Sequence, residues 1–172
     1  MRRSSNTRFN ILVVEDSPAD TRIIQECFVS CGPQCFLSFA ASIEQALQCL
    51  EATRFSFVIL DIQLGWQNGL ELVRAMRSRS SFASVPVVAL TGMLDQVRPA
   101  YEAGVNAVII KSNDFSEFSA KITSLVNFWL DVAELPPETR GTWPVTDPRT
   151  RATGQRPWVR EVEPIGRSRL EG

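Results

Sequence analysis

The sequence predicts an α/β fold, a doubly wound parallel sheet of five strands with helices on both faces. Three observations predict it. Short apolar runs rich in strand formers alternate with stretches striped at helical spacing, five times over. The middle run, Phe57–Leu60, is continuously apolar, as a strand covered on both faces must be. Four of the five runs end in charged or hydroxyl residues, where the carboxyl edge of such a sheet meets solvent.

Each element has its own signals. Phe9–Val14 is the first strand and runs into Glu15 and Asp16. Ser17 then suits an N-cap, Pro18 the first helical position, and Asp20 the positive end of a helix. That helix is predicted from Pro18 to about Cys31, with Ile23, Ile24, Cys27, Phe28 and Cys31 on one side and Gly32-Pro33 as its stop. Cys35–Ala40 is the second strand. Ser42 with Gln45 three residues on is a capping-box pattern, and Ile43, Ala46, Leu47 and Leu50 stripe the helix that follows. The central strand ends in Asp61. Leu70, Leu72, Val73 and Met76 mark a third helix. Pro86–Leu90 is the fourth strand, ending at Thr91, and Asn106–Ile110 is the fifth, ending at Lys111. Phe115, Phe118, Ile122, Leu125 and Trp129 stripe a last helix from about Asp114 to Leu130. Crossovers between the parallel strands should be right-handed.

Length and composition bound the rest. The chain of 172 residues carries a formal net charge of −1, so no overall charge draws it to nucleic acid or an acidic membrane. No apolar run approaches the roughly 20 residues that span a bilayer. Residues 1–8 read as a flexible arm on a cytosolic protein, without a secretory signal. Residues 9–132 form the folded domain. Residues 133–172 are rich in Pro and Arg without apolar period and read as an extended or disordered tail. Trp143 and Trp158 are anchor candidates if that tail docks on a partner; otherwise it is a solvated extension. The four cysteines form no CxxC pair and read as small apolar residues. Histidine is absent, which excludes His-based triads and His metal ligands and requires any phosphohistidine to come from another molecule.

The strand ends gather Glu15 and Asp16, Asp61, Thr91 and Lys111 on one edge. Three carboxylates in one cleft repel each other and stay ionised together only around a cation. Hard oxygen ligands without His or Cys suit Mg²⁺, which works most often on phosphate. Lys111 then offers a point charge to a phosphoryl oxygen and Thr91 a hydroxyl donor.

VVED at 13–16, ILDIQLGWQNG at 59–69, VVALTG at 87–92, and AG followed by VIIKS at 103–112 resemble the receiver domain of two-component response regulators, over Asn10 to about Leu130. The resemblance implies a flavodoxin-like sheet of order 2-1-3-4-5. It implies Asp61 as phosphoacceptor, Asp16 as direct Mg²⁺ ligand, Glu15 acting nearby through water, and the backbone carbonyl of Gln63 completing the protein ligands. Thr91 is then the switch hydroxyl and Lys111 the salt-bridge lysine, and the phosphoryl donor is a partner histidine kinase. Such a protein is a phosphoacceptor with intrinsic phosphotransfer and autodephosphorylation activity rather than a conventional enzyme. VEDSPAD at 14–20 and NFWLDVAELPP at 127–137 resemble single-domain receivers that partner phytochrome-type histidine kinases and carry no DNA-binding output domain. Several of those pair as homodimers through the face of the fourth and fifth helices, so a homodimer is expected here.

The chain departs from that pattern at named positions. Ser112 follows Lys111 where the family has proline, which favours a trans bond, because a non-proline cis bond costs about 2.5–4 kcal/mol. Val108 stands where the switch aromatic is usual. Gly65 replaces a proline, predicting a more flexible loop. Thr91 and Gly104 are closer together than is common in the family, and Pro99 lies between them, so the fourth helix should be brief, about Arg98–Ala103. These departures leave a second reading open, a receiver-like scaffold or dimerising adaptor that is never phosphorylated. A phosphoryl-transferring hydrolase with an Asp nucleophile is a third, disfavoured because no cap insertion follows the first strand.

Overall fold

The structure, a computed structural model, describes residues 8–29, 35–136 and 139. The strands in chain order are β1 (Phe9–Val14), β2 (Cys35–Ala40), β3 (Phe57–Asp61), β4 (Gln63–Leu64), β5 (Gln67–Asn68), β6 (Val87–Thr91) and β7 (Ala107–Ile110), of which β4 and β5 pair with each other and the other five form one parallel sheet. The spatial order of those five is β2-β1-β3-β6-β7, which is 2-1-3-4-5 when only these strands are counted. The sheet changes direction of winding at β1 and β3, and in open α/β sheets that is where ligands bind.

Alternation along each strand separates two cores. Leu12, Val14, Val58, Leu60, Val87 and Ala89 face one side, with α2 (Ile43–Ala52), α3 (Leu70–Arg77) and α4 (Val97–Ala103). Ile11, Val13, Phe57, Ile59, Val88 and Leu90 face the other, with α1 (Pro18–Val29) and α5 (Phe115–Asn127). The period of two in side-chain direction makes both faces apolar, so every residue of β3 is buried.

The helix signals translate into geometry. Ser17 Oγ accepts the Asp20 N–H at 3.3 Å, and Ser42 Oγ accepts that of Gln45 at 3.3 Å. The return bond of the predicted capping box lands one residue early, with Gln45 Oε1 accepting from Ala41 N. α4 is as brief as expected and follows a 3₁₀ turn at Leu94–Gln96. The last helix is interrupted: α5 ends at Asn127 and continues as a π-helical turn over Phe128–Val132. Packing extends further than the composition indicates. Leu135 is buried in the second core, and buried Thr139 accepts the Ser56 hydroxyl on its carbonyl. The predicted continuation of α1 to Cys31, its Gly32-Pro33 stop, residues 1–7, and Trp143 and Trp158 lie outside the described residues.

The loop after Asp61 differs from expectation. It is a small hairpin, β4 (Gln63–Leu64) against β5 (Gln67–Asn68), with Gly65 and Trp66 at the turn. Gly65 has φ +57°, a left-handed conformation closed to proline, which holds φ near −65°. Glycine therefore builds a defined turn here rather than simply loosening the loop.

One structural arginine was not anticipated. Arg77 at the end of α3 donates to the carbonyls of Gly104, Ala83 and Val85 and to Asn106 Oδ1, all at 2.9–3.1 Å. It joins the end of α4 and the start of β7 to α3.

Candidate functional site

Register places the polar strand ends side by side. Val14 of β1 pairs with Leu60 of β3, so Glu15 falls beside Asp61 at the next step. Asp61 pairs with Leu90 of β6, and Thr91 with Ile110 of β7, so Lys111 follows at the same edge. The ladder runs on into this edge: Glu15 N–H donates to Ala40 O, Ile62 N–H to Leu90 O, and Lys111 N–H to Thr91 O, at 2.8–2.9 Å.

The carboxylates of Glu15, Asp16 and Asp61 each offer an oxygen within 4.8 Å of the others, and no other such group of three occurs among the described residues. Their environments differ. Asp16 is exposed. Glu15 is buried with both oxygens engaged, Oε1 accepting the Ser17 N–H at 3.0 Å and Oε2 the Lys111 ammonium at 2.8 Å. Asp61 is buried, with Oδ1 accepting the Gln63 N–H at 3.0 Å and Oδ2 the Lys111 ammonium at 2.7 Å.

Lys111 is the counter-charge at the centre. Its ammonium donates to Glu15, to Asp61 and, at 2.7 Å, to Asp20 Oδ2 in the first turn of α1. Burial works against its charge, but the hydrogen bonds to Asp20, Asp61 and Glu15 outweigh that and hold it above the ordinary lysine value. Glu15 is pushed up to about 7, first by burial and further by the charge of Asp61, against the pull of Lys111.

Thr91 is fully buried, and its Oγ1 accepts the Met93 N–H at 3.1 Å, turning the loop that leaves β6. That loop meets the hairpin where Gln63 Nε2 donates to Met93 Sδ at 3.3 Å. Trp66 at the hairpin tip is 93% exposed. Gly69 fixes the other end of the hairpin. A Cβ there would stand 2.3 Å from the Asp61 carbonyl oxygen, so the backbone passes at a distance only glycine permits.

Residues 11–123 match the response regulator receiver domain family. The chain belongs to that family. As a receiver domain it is similar to response regulator Rcp1 of Synechocystis sp., with 28% identity over 145 residues, covering 79% of this chain and 99% of the relative. Among solved structures it is similar to the phosphorylated cyanobacterial phytochrome response regulator RcpA, with TM-score 0.71, 28% identity, and 75% and 99% of the two chains covered. It is also similar to the Mn²⁺-bound form of Rcp1, with TM-score 0.70, 28% identity, and 74% and 99% covered.

The receiver-domain edge thus brings together Glu15, Asp16, Asp61 and Lys111, with Thr91 at the end of the neighbouring strand and Gln63 hydrogen-bonded to Asp61. Sequence reasoning missed Asp20, which it read only as a charge at a helix end. The available signal was positional. A helix that begins directly after the acid pair of β1 must place its first turn at the mouth of the same cleft. The Lys111–Ser112 bond is trans, since no cis bond occurs among the described residues. Ser112 Oγ accepts the Asp114 N–H and donates to Glu117, shaping the entry to α5. The cysteines take no part: Cys27 is buried, Cys35 and Cys49 are half-buried, and Cys31 lies outside the described residues.

Proposed function

We propose that this protein is a two-component response regulator whose Asp61 accepts a phosphoryl group from a partner histidine kinase in a Mg²⁺-dependent reaction, and which signals through protein–protein contacts. The observation that carries the reading is the Lys111 ammonium 2.7 Å from Asp61 Oδ2, beside three carboxylates whose oxygens converge. A lysine alone would make an ion pair. A lysine together with converging acids is a site built to hold a phosphoryl group and a cation at once.

The donor set fits a hard divalent cation, being all oxygen and partly open to solvent. Asp16, Asp61 and the Gln63 carbonyl would hold it directly and Glu15 through water, the division that the family resemblance implies. Mg²⁺ bound there would neutralise charge on the carboxylates and the incoming phosphoryl oxygens.

The chain's own residues do the rest. An Asp61 oxygen attacks phosphorus on a phosphohistidine; the O–P bond forms as the P–N bond breaks, and the imidazole nitrogen keeps the electron pair and takes a proton. With no histidine in the chain, the donor is another molecule. Lys111 donates to a phosphoryl oxygen, and the Thr91 hydroxyl moves from its loop bond to do the same. Hydrolysis of the acyl phosphate returns the free carboxylate. The likeness to the phosphorylated phytochrome response regulator RcpA supports a phytochrome-type kinase as the donor; a homodimer and a cytoplasmic setting belong to the same proposal and rest on the family resemblance alone.

One observation favours a second reading, an adaptor that is not phosphorylated. Val108 on β7 carries no ring that could report the state of Thr91. Intact mass after incubation with acetyl phosphate separates the two. One phosphoryl group gained only with Mg²⁺, and absent in Asp61→Asn, is expected. A folded protein that gains nothing from acetyl phosphate or from an autophosphorylated histidine kinase is the adaptor.

A further inference from the structure

We propose that Asp20 is a positioning residue for Lys111, holding the ammonium in the cleft while Asp61 and Glu15 change partners. The inference rests on the phosphoacceptor reading of Asp61. An ammonium has three N–H donors, and Lys111 spends them on three carboxylates, Glu15 at 2.8 Å and Asp20 and Asp61 at 2.7 Å. Two of those acceptors belong to the converging oxygen set, and Asp20 does not. When Asp61 becomes an acyl phosphate, and if Glu15 turns toward the water of a bound cation, both change what they offer to Lys111. Asp20 keeps its carboxylate.

Its placement suits that task. Asp20 sits in the first turn of α1, pinned by its own N–H to Ser17 Oγ, so the acceptor rides on a helix and not on a strand end. The bond is partly shielded from water, with side-chain exposures of 18% for Lys111 and 26% for Asp20. Lysine has a long stem with several rotors, and a fixed acceptor outside the reacting set limits where its ammonium goes. Asp20 touches neither donor nor phosphoryl group and acts through Lys111.

The composition makes the test direct. Lys111 and Lys121 are the only lysines, so ¹⁵N-lysine labelling of the full chain yields two Nζ signals. Lys121, paired with Glu117 and donating to Ile110 O, is the internal control. Wild type, Asp20→Asn and Asp20→Glu are compared with Mg²⁺ alone and then with saturating acetyl phosphate. In Asp20→Asn the Lys111 Nζ signal should broaden through solvent exchange while that of Lys121 stays. Phosphorylation at saturating donor should slow about tenfold, the scale of one charge-assisted hydrogen bond, with little change in half-saturation. Asp20→Glu should recover part of the rate. If wild type is phosphorylated and Asp20→Asn keeps both its rate and its Lys111 signal, Asp20 is only a helix-end charge. If wild type gains no phosphoryl group from acetyl phosphate or from an autophosphorylated histidine kinase, the reading of Asp61 fails, and the Mg²⁺ spectra then decide: an unchanged Lys111 signal in Asp20→Asn sinks the positioning role.

Discussion

At the acid cleft the Lys111 ammonium is held by three carboxylates. On the face where β7 meets α5, the buried indole N–H of Trp129 has no partner among the described residues. Both regions flank β7, yet they obey different rules. The cleft is polar, and each contact fixes a position to within a hydrogen-bond length. The face is an open groove of about 990 Å³ lined largely by apolar residues, among them Val108, Ile109, Leu125 and Phe128. There the four residues of β7 are all half-buried. Chemistry on a carboxylate needs the first kind of region. A surface that meets other proteins needs only shape and apolar area. A receiver domain can therefore keep its acceptor geometry while its output face departs from the usual pattern.

The sharpest way to separate the two regions is to damage the face and read the cleft. Trp129 stacks on Phe57 at 5.7 Å and meets Phe128 edge-on at 5.4 Å. Trp129→Ala should cost about 3–5 kcal/mol in chemical denaturation. Trp129→Phe should cost less than about 1.5 kcal/mol, because losing the unpaired N–H offsets part of the lost area. Neither should change uptake of phosphate by Asp61 in the fraction that is folded; a fall in uptake would couple the regions directly.

Gly69→Ala makes the converse cut. The added methyl meets the Asp61 carbonyl at 2.3 Å and Ile62 Cα at 3.2 Å, both backbone atoms that cannot swing aside. The expected cost is about 3 kcal/mol by urea titration, with phosphorylation impaired even where the fold survives. A variant that is stable and phosphorylated normally would show that the hairpin does not hold Asp61 in place.

Within the cleft, Asp16→Asn should weaken Mg²⁺ binding about a hundredfold and Glu15→Gln about tenfold, measured calorimetrically. Equal losses would contradict the division between an exposed direct ligand and a buried one acting through water.

The smallest effect concerns pH. Glu15 has an ordinary value of 4.5 and stands at about 7 in the fold. Between those values the folded chain holds a proton that the unfolded chain has released, so Glu15 makes stability fall as pH rises through that window. In metal-free protein the urea midpoint should therefore decline between pH 4.5 and about 7, and Glu15→Gln should flatten that slope. A midpoint that rises in wild type over that window, relative to Glu15→Gln, would mean that Lys111 outweighs burial.

Much of the fold was readable because its signals are local. β1 and β2 have the predicted limits, and the fourth and fifth strands start one residue later than read. Buried parallel strands are continuous apolar runs, and Ser17, Ser42 and Asp114 declare helix starts through bonds within one turn. What escaped is what depends on backbone sign or on distance in sequence. The hairpin turns on a positive φ at Gly65, and a glycine there reads equally well as looseness. The π-turn after Asn127 keeps an apolar stripe that looks like more α-helix.

The chain order of residue types alone determined the sheet, the edge on which the candidate site sits, and the acids, hydroxyl and lysine gathered there, because periodicity and strand-end polarity are written residue by residue. Tertiary structure alone decided which of those groups touch. Asp20 and Lys111 are 91 positions apart, and only when α1 and β7 pack at the same sheet edge does a helix-end aspartate become the third anchor of the lysine. A hydrogen bond is set by ångströms in space, and no local pattern in a sequence encodes that distance.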